Sequence, residues 1–147
     1  MTIRIVLADD HAAFLRCLKS LLEQQPGLAV VGEASGGRSA IEAIQACGPM
    51  LPDLLILDVD MRDISGLRAA RQILDLHPTL RILMLSWFDD LAFVNAAAAA
   101  GSRGYMLKDD PLPELVHAIR ELVAGRTYLS AALRNVQTSG GSISAFC

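Results

Sequence analysis

The chain has no apolar run approaching the roughly 18 residues of a membrane span, and Ala96 to Ala100 is far too short to serve as one. Its N-terminus lacks the apolar core of a secretion signal, because Arg4, Asp9, Asp10 and His11 interrupt it. Cysteine is scarce. Cys17, Cys47 and Cys147 are an odd, widely spaced set without metal-ligand spacing, which excludes a disulfide framework and reads as small hydrophobes in a reducing cytoplasm. Excess positive charge is missing as well. Thirteen Lys and Arg stand against 16 Asp and Glu, for a net charge of -3, and the basic residues are scattered, so nothing here favours direct binding to DNA. What is present is a hydrophobic fraction of 52% in 147 residues, enough to bury a core in one globular unit.

Strand-like apolar runs alternate with helix-like periods, the pattern of a parallel α/β sheet. The runs are Ile3 to Ala8, Leu28 to Ala34, Leu54 to Leu57, Arg81 to Leu85 and Arg103 to Leu107, and their continuous hydrophobicity predicts burial on both faces. Five helices follow them. Phe14, Leu15, Leu18, Leu21 and Leu22 share a face of the first, which stops at Pro26-Gly27. The second spans about 38 to 47 and stops at Gly48-Pro49. The third rests on Leu67, Ala70, Ile73 and Leu74, with Arg71, Gln72 and Asp75 turned outward. The fourth spans about 90 to 100 before Gly101, and the fifth rests on Leu112, Leu115, Val116, Ile119 and Leu122 before Gly125. Residues 126–147 read as a tail: one short helix from Ala131 to Gln137 with Ser130 as its N-cap, then a mobile linker, Thr138 to Ser142.

Each central run ends in chemistry. The first delivers Asp9 and Asp10, the third Asp58, the fourth Ser86 and the fifth Lys108. In an open parallel sheet these carboxyl ends line one crevice. Three carboxylates there repel by roughly 1 kcal/mol per pair in water, and by more in a cleft, so a cation is expected. Oxygen donors with room for water and phosphate suit Mg2+. An ammonium and a hydroxyl suit phosphoryl oxygens, which leaves Asp58 as a carboxylate nucleophile for phosphoryl transfer.

These residues resemble the receiver domain of a bacterial two-component response regulator of the NarL/FixJ (LuxR) type. The match consists of Asp9-Asp10-His11, Asp58-Val59-Asp60-Met61 with Gly66, Ser86, and Gly104-Tyr105-Met106-Leu107-Lys108-Asp109, and it covers residues 3 to about 137. The resemblance implies a flavodoxin-like, CheY-like doubly wound sheet of five strands in the order 2-1-3-4-5 with five helices, a receiver over 1–125, and no DNA-binding domain in this chain. It implies Asp58 as phosphoacceptor, Mg2+ held by Asp9, Asp10, Asp58 and the backbone carbonyl of Asp60, phosphoryl contacts from Ser86 and Lys108, and Tyr105 as an aromatic switch. The implied partners are a sensor histidine kinase and a second copy docked through the fourth helix, fifth strand and fifth helix. DNA would be reached only through a helix-turn-helix domain outside the chain. Its own chemistry would be transfer and slow hydrolysis of the acyl phosphate rather than enzymatic turnover.

Two departures stand out. Arg62 takes the place of the family's usual Pro after Met61, so a looser or differently posed loop is expected there. Trp87 follows Ser86, where a small residue is usual, and Trp87-Phe88 is expected to cover the loop and pack on the fourth helix, or to narrow access to Asp58. These departures support a second reading, a phosphorylation-independent interaction module. A third, a phosphohydrolase using Asp58-Val59-Asp60, places its nucleophile motif after the wrong strand. His11 reads as a surface residue, His77 and His117 have no partners that suggest a ligand role, and Asp60 and Asp63 read as solvated acids. The run Ala96 to Ala100 marks close helix packing or a flat dimer face.

Overall fold

The computed structural model describes residues 1–137 and Phe146. Among them, strands and helices alternate as β1 (Ile3–Ala8), α1 (Ala12–Glu23), β2 (Leu28–Ala34), α2 (Gly37–Ala46), β3 (Leu54–Asp58), α3 (Gly66–Leu76), β4 (Ile82–Ser86), α4 (Leu91–Ala99), β5 (Gly104–Leu107), α5 (Leu112–Val123), β6 (Tyr128–Leu129) and α6 (Ala131–Gln137). Every pairing is parallel and the order is β2-β1-β3-β4-β5-β6. No helix of the described residues is long and apolar enough to cross a membrane.

Period-two alternation along the strands splits the core into two layers. Ile5, Leu7, Leu54, Ile56, Leu83, Leu85 and Met106 face α1 and α5, against Leu18, Leu22, Leu115 and Ile119. Val6, Leu55, Leu57, Ile82, Met84 and Tyr105 face the other way, against Ile44 of α2, Ile73 of α3, and Val94 and Ala97 of α4. In α4, Ala97 and Ala100 pack inward while Ala92 and Ala99 are exposed. The chain winds one way from β1 to β2 and the other way from β3 onward. The crevice this opens above β1 and β3 is where the acidic residues emerge.

The fold has six strands and six helices among the described residues rather than the five of each expected for the receiver; the sixth helix, α6, is the tail helix expected over Ala131 to Gln137, and β6 extends the order at the β5 edge. β6 is two residues long, too short for a periodicity signal. It is held by Tyr128 N–H to the Arg103 carbonyl (3.1 Å) and Ser130 N–H to the Tyr105 carbonyl (2.9 Å). Residues 126–137 are therefore built onto the sheet, and Leu133 and Phe146 join the core layer. Capping of α6 also differs from expectation: Oε1 of Glu114, not the Ser130 hydroxyl, accepts from Ala131 N–H at 2.8 Å. The expected linker, Thr138 to Ser142, and Cys147 lie outside the described residues.

Two smaller differences follow from position in the sheet. β2 was expected to be buried on both faces, but it is an edge strand with Val31 exposed, and its register against β1 shifts between Ile5 and Val6. β3 and β4 each run one residue further than their apolar runs, so Asp58 and Ser86 belong to the strands themselves. Both are held at backbone precision rather than on loops.

Candidate functional site

Register fixes the first layer of the site. Ala8 of β1 lies beside Leu57 of β3, so Asp9 and Asp10 leave β1 next to Asp58. Asp58 pairs with Leu85 and Ser86 with Leu107, and Lys108 N–H donates to the Ser86 carbonyl at 2.8 Å. The loop after β3 folds back tightly: Gly66 N–H donates to the Val59 carbonyl at 2.8 Å, and a Cβ on Gly66 would fall 1.8 Å from the Asp58 carbonyl oxygen. Only hydrogen fits there.

Lys108 forms the floor. Its Nζ lies 2.7 Å from Asp9 Oδ2 and 3.2 Å from Asp58 Oδ2, and its side chain is 2% exposed. Its ammonium also sits 4.6 Å from the centre of the Phe14 ring and 5.9 Å from that of Trp87. Asp9 Oδ1 accepts from His11 N–H at 2.8 Å, and Asp58 Oδ1 from Asp60 N–H at 3.3 Å. Burial and the neighbouring Asp9 carboxylate push the Asp58 carboxyl up to about 6 against the opposing pull of Lys108. Burial contributes most to that rise and the crowding of the Asp9 carboxylate comes second.

The donor set fits a hard divalent cation. Asp9, Asp10 and Asp58 each present a carboxylate oxygen, all within 4.8 Å of one another. Asp60 is exposed and contributes its N–H to Asp58. Asp10 is the outermost of the three acids, and Arg62 is bound to it: Arg62 N–H and Nε reach Asp10 Oδ2 at 2.8 and 3.3 Å, and Nη2 reaches the Asp10 carbonyl at 3.5 Å. The loop is thus tied to Asp10 at this position. The replacement of Pro by Arg62 supplies an N–H that Pro lacks.

Ser86 and Tyr105 form a second cluster. The buried Ser86 Oγ accepts from Phe88 N–H at 2.9 Å, while the Tyr105 hydroxyl donates to the Phe88 carbonyl at 2.6 Å. Tyr105 is fully buried, and that burial pushes its phenol up to about 12. Phe88 stacks on Phe93 of α4, with centroids 4.5 Å apart, as expected of the aromatic pair. Trp87 does not follow it. The indole turns toward α1, edge-on to Phe14 at 6.2 Å, and stays 58% exposed.

The structure therefore brings together Asp9, Asp10, Asp58 and Lys108, with Ser86 and Tyr105 joined to each other through Phe88. Sequence reasoning missed Phe14 over the ammonium, which looked like one more core residue of a helical stripe. It also read Asp63 as solvated. Asp63 instead accepts from Gly37 and Arg38 N–H at 2.9 and 3.0 Å, capping α2 from a loop 26 residues away, and those bonds lower its carboxyl to about 2. His117 lies 3.4 Å from Glu121 and edge-on to Tyr128. Cys17, read as a small hydrophobe, is exposed.

Comparison with known proteins agrees with this geometry. The sequence profile of the response regulator receiver domain matches residues 5–120. The transcriptional regulatory protein DegU of Brevibacillus brevis is 30% identical over 127 residues, covering 86% of this chain and 52% of DegU, so the chain spans about half the length of that curated relative. The crystal structure of a LuxR-family two-component response regulator from Aurantimonas sp. SI85-9A1 superposes with a TM-score of 0.88 at 32% identity, over 95% of this chain and 97% of that one. The receiver domain of the putative response regulator NarL from Mycobacterium tuberculosis gives 0.79 at 34% identity, over 85% and 98%. This chain belongs to the response regulator receiver domain family, in its NarL- and LuxR-type branch.

Proposed function

We propose that the chain takes a phosphoryl group onto Asp58 from the phosphohistidine of a sensor histidine kinase, with Mg2+ as the required cation. The observation that carries this reading is Lys108, a buried ammonium that touches Asp9 and Asp58 together at the switch point of the sheet. Asp9, Asp10 and the Asp60 carbonyl would hold the cation beside Asp58. When bound, it supplies the positive charge that lets a phosphoryl group approach a carboxylate cluster.

Asp58 is the nucleophile. One of its oxygens bonds to phosphorus, the donor's phosphorus–nitrogen bond breaks, and the electron pair leaves with the imidazole, which takes up a proton. Lys108 meets one phosphoryl oxygen and the Ser86 O–H donates to another. The product is an acyl phosphate, lost by slow hydrolysis, so the chain serves as a phosphoacceptor rather than a turnover enzyme. Movement of Ser86 toward the phosphoryl group is relayed to Tyr105 through Phe88 and changes the face made by α4, β5 and α5. The uncharged α4 sequence suits that face to pairing with a second copy. Output to transcription, through a helix-turn-helix segment beyond these residues, extends the proposal from relatives named as transcriptional regulators, as does a cytoplasmic location.

The test is incorporation of phosphate from a small acyl-phosphate donor, with and without Mg2+. Incorporation should require Mg2+ and vanish in Asp58→Asn; labelling that survives this substitution overturns the site. A second reading, a module that works without phosphorylation, draws on Arg62 already bound to Asp10 and on Trp87 beside Lys108. Titrating millimolar Mg2+ against Trp87 fluorescence separates the two, since the indole lies beside the site and only a working acidic pocket changes its emission.

A further inference from the structure

The geometry points to Arg62 as a tethered counter-ion of Asp10 that competes with the divalent cation and so sets how much of it this site requires. The inference rests on the reading of Asp9, Asp10 and Asp58 as a cation site. Two of these acids already share a protein cation, since Lys108 reaches both Asp9 and Asp58. The third, Asp10, has Arg62. Backbone N–H and Nε converge on the same oxygen, Oδ2, and Nη2 reaches the carbonyl of the same residue.

Position turns this contact into competition. Asp10 is the most open of the three acids, its side chain 18% exposed against 5% for Asp9 and 7% for Asp58. A bay of about 310 Å³, lined by Asp10, His11, Asp60 and Arg62, opens onto it from solvent. An entering cation meets Arg62 at the rim and must share or take an oxygen that two donors hold. Lys108 lies too deep to be displaced cheaply, whereas the Arg62 side chain is 89% exposed and can swing into water. The two donors also differ in kind. The neutral N–H orients the carboxylate and need not oppose a cation, but the guanidinium carries the charge that does.

Because the ion pair is exposed, its grip is weak and the expected effect modest. Arg62→Ala, which keeps the N–H and removes the charge, should tighten cation binding about two- to five-fold at low salt. The gain should shrink at high salt, where exposed charges are screened. A purely structural role for the side chain would show neither the dependence on charge nor that on salt.

The experiment is calorimetric titration of Mg2+, with Mn2+ as a second probe, into the unphosphorylated chain and its variants Arg62→Ala, Arg62→Lys and Arg71→Ala. Arg71, exposed on α3, controls for net charge. The inference expects Arg62→Ala alone to bind more tightly, with Arg62→Lys and Arg71→Ala close to the parent chain. Unchanged or weaker binding in Arg62→Ala, or equal tightening in Arg71→Ala, overturns it while leaving the cation site standing. If neither the folded parent chain nor Arg62→Ala binds either cation, the reading of the acidic cluster falls as well.

Discussion

Floor and rim of the acidic crevice each place one basic side chain against carboxylates, yet the two contacts are unlike. Lys108 is 2% exposed, bridges two acids at 2.7 and 3.2 Å and sits under an aromatic ring. Arg62 is 89% exposed and holds a single acid at 3.3 Å through its side chain. Below, water is excluded and the effective dielectric is low, so removing one charge strands its partners. Above, water and salt replace whatever is taken away. The same formal charge therefore acts as architecture in one place and as an adjustable occupant in the other.

The largest effect should come from the floor. Lys108→Ala leaves Asp9 and Asp58 buried and unpaired, and chemical denaturation at neutral pH should show a loss of about 3 kcal/mol. A loss comparable to that of a surface pair would erase the contrast. Next, Gly66→Ala forces a Cβ into the Asp58 carbonyl and should cost about 2 kcal/mol, with phosphate incorporation reduced because the loop beside Asp58 must shift. If Gly66→Ala folds with unchanged stability, the close approach is not structural.

Asp58→Asn should act in the opposite direction. The Asp58 carboxyl is raised from 3.8 to about 6 in the fold, so between those values the folded chain holds a proton that the unfolded chain releases. Stability of the cation-free protein therefore falls as pH rises through that window, and the full penalty is present above it. Removing the charge should stabilise the protein by about 1–2 kcal/mol at pH 8, an advantage that fades as pH falls from 6 toward 4. A pH-independent difference would contradict the assignment. Smallest of all, Arg62→Ala should leave folding stability within about 0.5 kcal/mol of the parent chain, whatever it does to cation binding.

The contrast between floor and rim also separates what the sequence reveals from what it hides. β1 and β2 were legible to the residue because each is a strand-length run dominated by apolar residues that ends at a polar one, Asp9 and Ser35. The strand-end positions of Asp9, Asp10, Asp58, Ser86 and Lys108 followed from the apolar runs of β1, β3, β4 and β5. β6 was not legible, since two residues carry no period and its pairing with β5 depends on the Tyr105 and Arg103 carbonyls being available. Arg62 was noticed as a departure, but its contact with Asp10 was not foreseen. Its partner lies 52 positions away, and local backbone preference at a lost Pro says nothing about an N–H finding a distant carboxylate. Asp63 was hidden for the same reason, because its cap on α2 is made 25 and 26 positions away in the chain.

Phe88 offers its amide hydrogen to Ser86 and its carbonyl oxygen to Tyr105. A hydroxyl and a phenol that never bond the same atom are thus geared to one residue, whose ring is clamped against Phe93. Turning Ser86 away frees the Phe88 amide, and swinging Tyr105 outward strands the Phe88 carbonyl. Neither motion is cheap alone, because each leaves an unpaired backbone group beside a buried side chain. Because both bonds are anchored on Phe88, a shift of that residue disturbs both at once, and the positions of Ser86 and Tyr105 are coupled through it.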